Sequence, residues 1–210
     1  MGLTIHYSGT LPDPNSVMNL VEDVKDFCNV MKWNYNILDD DWSEPVECST
    51  VIEDGCVRIK GNLGLKGISI SIHPDCERLA FLFDSQGRIV SLPGRIVDVE
   101  DCFTDSVKTQ FAPVEVHITI IKILRFIKNN YIPDLAVLDE GEYWETGNLK
   151  NLISKMRFLS EMIEKISAGL DVPGGSDLSP EELADFIEKR IQAIFDENRE
   201  KQGADQASIS

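Results

Sequence analysis

Four carboxylates fall within seven residues at Asp139, Glu140, Glu142 and Glu145, with Tyr143 and Trp144 set among them. A loop this rich in oxygen can hold a hard cation, because Ca²⁺ and Mg²⁺ draw several carboxylate ligands from one short segment. It can also meet a basic partner, with Tyr and Trp supplying the large, partly polar contacts that anchor interfaces. The run Asp139-Glu140-Gly141-Glu142 lacks the alternate-position spacing of an EF-hand. Glu145-Thr146 stands before a helical pattern, where a carboxylate simply favours the positive helix N-terminus. A solvated turn with anchored aromatics is the plain alternative. Between the two chemistries, the pattern favours recognition, with Asp139, Glu140, Glu142, Tyr143, Trp144 and Glu145 as the expected binding residues.

His117 is the second chemical candidate. It shares a predicted helix face with Ile121 and Leu124, so a buried, hydrogen-bonded histidine is the plain expectation. The sharper one pairs it with Asp139 or Glu140 as a catalytic His/carboxylate set, where the carboxylate orients the ring of a general base. Glu115 lies about 200° around the helix from it and faces away unless the first turn frays, which weakens a Glu115/His117 pair. His6, His73 and His117 could together hold a transition metal only if the fold gathered them, and no HExxH-type spacing supports that. His73-Pro74-Asp75 reads instead as a turn. The chain has no GxSxG elbow, no P-loop and no GxGxxG between a strand and a helix, so no cofactor is expected. Gly61-Asn62-Leu63-Gly64 lies between predicted strands, with no helix to receive a phosphate, and reads as a β-turn.

The elements that must position these residues begin with a strand at Leu3–Ser8. Asp13 is placed to cap a helix with Pro14 in its first turn. Val17, Leu20, Val21, Val24, Phe27, Cys28 and Met31 then recur at helical steps over residues 14–32. Trp33–Leu38 reads as a strand. The middle third is β: Cys56–Lys60, then Ile68, Ile70 and Ile72 alternating with Ser69 and Ser71 as a half-buried strand. Leu79–Phe83 and Arg88–Leu92 flank a hairpin turn at Asp84-Ser85-Gln86-Gly87. Consecutive short strands without intervening helices imply antiparallel pairing. Pro113 opens a helix running to Tyr131 that is apolar around most of its circumference, hence central. Pro133 ends it, and Leu135–Leu138 reads as a short buried strand. Leu149, Leu152, Ile153, Met156, Leu159, Ile163 and Ile166 mark an amphipathic helix stopped by Gly169.

These patterns predict an α+β fold: an antiparallel sheet packed on helices, with a C-terminal helical pair. The expected organisation is an α+β domain over 1–170, a linker over 171–178, an amphipathic helix over 179–198 and a disordered tail over 199–210. Ser179-Pro180-Glu181-Glu182 is a capping box for that last helix. Its apolar stripe needs cover, either within the chain or from a second copy as a homodimer.

The chain has 36 acidic and 20 basic residues, a net charge of −16. Such a surface repels phosphate backbones and anionic lipid, so neither nucleic acid nor membrane is an expected partner. A basic protein partner is. Cys28, Cys48, Cys56, Cys76 and Cys102 are odd in number and lack CxxC or zinc spacing, which fits a reducing cytoplasm. The N-terminal residues have no signal-peptide pattern, and no run approaches a membrane span. The functional expectation is an acidic, non-enzymatic interaction or regulatory module. A metal-dependent hydrolase using His117, Asp139 and Glu140 is the alternative.

Overall fold

The computed structural model describes residues 3–53, 56–97 and 102–169. The chain divides into two compact units, Met1–Ile153 and Ser154–Ser210, and residues 154–169 of the second are helical. The linker, capped helix and tail expected beyond residue 170 lie outside the described residues.

The first unit starts with β1 (Thr4–Ser8) and a 3₁₀ turn (Pro14–Ser16) leading into α1 (Val17–Met31). Asp13 caps that turn as its sequence position predicts, its carboxylate accepting the Asn15 N–H at 3.0 Å. Strand β2 (Asn34–Asp39), the β3–β4 pair (Glu47–Glu53 and Cys56–Asn62), β5 (Lys66–Ser71) and β6 (Leu79–Phe83) follow. Short helix α2 (Leu92–Ile96), β7 (Asp105–Lys108), α3 (Val114–Asn130), β8 (Ala136–Asp139) and one-turn α4 (Tyr143–Thr146) complete the unit, and α5 (Leu149–Gly169) begins in it. The fold is α+β, and among the described residues every strand pairing is antiparallel: β7-β1-β8, β2-β5-β6 and β3-β4.

One core joins the first two sheets and two helices. Ile5 and Tyr7 of β1, Ile68 and Ile70 of β5, and Phe81 and Phe83 of β6 meet Leu20, Val21 and Val24 of α1 and Ile120, Ile121, Leu124 and Ile127 of α3. Tyr7 ties the sheets together twice. Its ring tilts against Phe81 at 5.9 Å, and its hydroxyl donates to the Ala80 carbonyl at 2.7 Å. The other face of β6 is covered too, because Ala80 and Leu82 pack with Leu63, Leu65 and Val90 in a smaller cluster.

Several expectations need correction. Ser69 is buried rather than on an open face, because that second cluster covers the sheet and Arg78 donates to its Oγ at 2.8 Å. The turn at Asp84–Gly87 forms, with Gly87 at φ +77°. The strand expected after it shrinks to isolated bridges, Thr10 to Arg88 and Phe83 to Ile89, because Leu92-Pro93 already begin α2. Strands β3 and β7 have no counterpart in the expected elements. Leu138, expected to be buried, is 65% exposed. It lies on an outer strand of its sheet, on the face opposite Ile5 and Tyr7. Among the described residues, no helix is long and apolar enough to cross a membrane.

Candidate functional site

Asp139 ends β8 opposite Ile5, and His117 projects from the first turn of α3 into the same buried region. His117 is fully buried and Asp139 is 3% exposed. The ring Nε2 lies 3.1 Å from Asp139 Oδ1 and 3.3 Å from Oδ2, so it bridges both oxygens. Backbone N–H groups complete the shell: Gly141 donates to Oδ1 at 2.7 Å, and Tyr143 and Trp144 donate to Oδ2 at 2.8 and 2.9 Å. A carboxylate has about four lone-pair sites, and four donors fill them. Burial alone would push the Asp139 carboxyl up. The hydrogen bond and attraction of His117, with the Trp144 and Gly141 amides, outweigh burial and hold it below the ordinary carboxylate value.

The other side of the ring is occupied as well. Nδ1 is 2.8 Å from the Thr109 hydroxyl, which also lies 3.2 Å from the Leu3 carbonyl. A polar chain therefore runs from the start of β1 through the residue after β7, across α3, to the end of β8 and the first amides of α4. Asp139 satisfies two of the N–H groups that a helix start leaves without intrahelical partners. Gly141 is required at its position, since a Cβ there would lie 2.9 Å from Asp139 Oδ1 and 3.0 Å from His117 Cε1. Glu142 takes the left-handed conformation, φ +58°, to turn the chain into α4.

The four loop acids thus separate. Asp139 is an internal clamp, whereas Glu140, Glu142 and Glu145 are exposed. Glu140 accepts the Thr4 N–H at 2.8 Å, fastening β1 to the corner, and Glu142 accepts from the Asn151 side chain at 2.8 Å. Tyr143 and Trp144 are half-buried against the main core. Arg125 of α3 steadies the second of them, its guanidinium 5.5 Å from the Trp144 ring centre and donating to the Trp144 carbonyl at 2.8 Å.

A hydrolytic metal at His117 and Asp139 would have to displace hydrogen bonds already made and reach atoms sealed from water. Glu140 is held at the Thr4 amide. His6 lies on β1 opposite Ser106 and Leu138, on the face away from the Ile5 and Tyr7 core. His73 sits in the turn after β5, where its Nδ1 accepts the Asp75 N–H at 3.2 Å. Among the described residues, no group of three or more His, Cys, Asp or Glu side chains is placed to hold a metal ion. Cys28, Cys48, Cys76 and Cys102 are free thiols, and burial first, then Glu77, pushes Cys76 up to about 11.

Sequence reasoning passed over Thr109, although its β-branched hydroxyl eight residues before His117 was visible. It also gives no sign of a half-buried acid on the other side of β1. Asp105 faces Tyr7 across the β1–β7 pair, with its Oδ2 3.3 Å from the Tyr7 hydroxyl. Burial pushes Asp105 up to about 6, against the opposing Ser106 amide and Tyr7 hydrogen bonds. Comparison with protein family models, curated proteins and solved structures finds no match for this chain.

Proposed function

We propose that this chain is a cytoplasmic, non-enzymatic interaction module that binds a basic protein partner through the 139–145 corner. The supporting observation is the division of labour within the loop. Asp139 turns inward and fixes the backbone, while Glu140, Glu142 and Glu145 stand at exposed positions beside the half-buried Tyr143 and Trp144. A surface held in place before binding loses less conformational freedom when it docks. The net charge of −16 would speed encounter with a basic partner and make it sensitive to salt.

Affinity capture from native lysate tests this reading, with the wild type compared against Glu142→Gln/Glu145→Gln and Trp144→Ala at two salt concentrations. Basic proteins held by the wild type should be lost from the variants and released by salt. Retention of the same proteins with the same salt response would sink the reading. Self-association through the helix expected at 179–198 is a separate part of the proposal. A chain cut after Gly174 should fall to monomer mass in light scattering if that helix pairs copies, and an unchanged mass removes it.

A further inference from the structure

We infer a second binding site, for the phosphate group of a small molecule, in the cavity of about 640 Å³ between the β3–β4 pair and α2. Its lining includes Lys60 and Arg95, with Ser49 and the thiol-bearing Cys48 beside them. Arg95 is the decisive residue. Its Nε donates to the Leu63 carbonyl at 3.1 Å, which anchors the guanidinium of this half-buried residue. That bond uses one of the five guanidinium N–H donors. Among the described residues no carboxylate pairs with Arg95, whereas Lys25, Lys66 and Arg88 pair with Glu22, Asp39 and Asp84. An anchored guanidinium facing a cavity is suited to bidentate recognition of a planar or tetrahedral oxyanion. Ser49 and Lys60 are directly opposite in the β3–β4 register, so their side chains share one face and add a hydroxyl and an ammonium donor.

A phosphate monoester fits this set better than a carboxylate. It carries about 1.5 to 2 negative charges and three acceptor oxygens, enough for the Arg95 fork, Lys60 and Ser49 together. The acidic surface opposes any anion at long range, but salt screens that repulsion beyond about 8–10 Å while leaving contacts inside a cavity much less affected. Glu47 is also in the lining and works against an anion directly.

Titrating the full chain with inorganic phosphate, against chloride at matched ionic strength, tests the site by ¹H–¹⁵N NMR. Saturable shifts are expected at Ser49, Lys60, Ile96 and the Arg95 Nε–H with phosphate alone. Arg95→Gln should weaken binding by about tenfold or more, as loss of a charge-assisted pair implies. Lys60→Gln should weaken it less, and Glu47→Gln should tighten it. If Arg95→Gln fails to fold, Arg95→Lys replaces it and should bind more weakly than the wild type, because an ammonium lacks the fork. Shifts that rise without saturation, equal shifts with chloride, or an Arg95 variant that binds like the wild type would overturn the site. Acetate binding as tightly as phosphate would overturn its assignment to phosphate.

Discussion

Two carboxylates flank β1, and the molecule treats them in opposite ways. Asp139, on the β8 side, meets His117 and three backbone amides, and its carboxyl is held low despite burial, which acts to raise it. Asp105, on the β7 side, meets the Ser106 amide and, at 3.3 Å, the Tyr7 hydroxyl. Burial dominates there, and its carboxyl rises to about 6. The more deeply buried of the two, Asp139, is the one held low, so depth alone does not decide whether an acid removed from water keeps its charge. The number and kind of donors aimed at it do. Asp139 is an ion made structural by a filled shell, and Asp105 is an acid that folding would rather keep neutral.

The largest effect should come from emptying part of the filled shell. His117→Leu leaves the Asp139 charge buried without its ring partner, and chemical denaturation should show a loss of about 3–5 kcal/mol. Combining it with Asp139→Asn should cost less than the sum of the two single changes, since both act on one pair. A loss under about 1 kcal/mol for His117→Leu would mean that the three amides suffice and that the histidine is incidental.

Asp105 should respond with the opposite sign. Its folded value, about 6, lies above the ordinary 3.8, so its contribution is fully present below about pH 4. That contribution is lost as pH rises from about 4 to about 6 and stays lost above that. Asp105→Asn should therefore stabilise the protein by about 1–3 kcal/mol at pH 7 and scarcely at all at pH 4. Denaturation midpoints across that window provide the check, and a destabilised variant at pH 7 would show that the carboxylate is held there as firmly as Asp139. Thr109→Val should have the smallest effect. It removes one hydroxyl from the far side of His117 and should cost about 1–2 kcal/mol.

The sequence exposes the strongly periodic parts of this arrangement. The alternation of Leu3, Ile5 and Tyr7, the 3.6-residue stripe of α1 and the apolar girth of α3 follow from spacing alone, because each buries a continuous face. Strand β7, Asp105-Ser106-Val107-Lys108, has almost no strand character of its own. It forms because β1 offers an unpaired edge and Val107 reaches the core. Leu138 looks internal from composition, yet nothing local tells it that β8 is an outer strand. The site divides in the same way. The acidic loop is legible in the sequence, and the pairing of His117 with Asp139 or Glu140 is one of the two readings it leaves open. The inward turn of Asp139 is not legible, because four neighbouring acids look alike until the Gly141, Tyr143 and Trp144 amides converge on one of them.

Amide hydrogen exchange at Gly141, Tyr143 and Trp144 tests the clamp most directly. In the wild type these three N–H groups, held by the Asp139 carboxylate, should be strongly protected although they belong to a loop and a one-turn helix. In Asp139→Ala their protection should collapse while Ile121 and Leu124 of α3 stay protected. Rapid exchange at these amides in the wild type, or unchanged protection in the variant, would contradict the account of Asp139 as the residue that holds the 139–145 corner in shape.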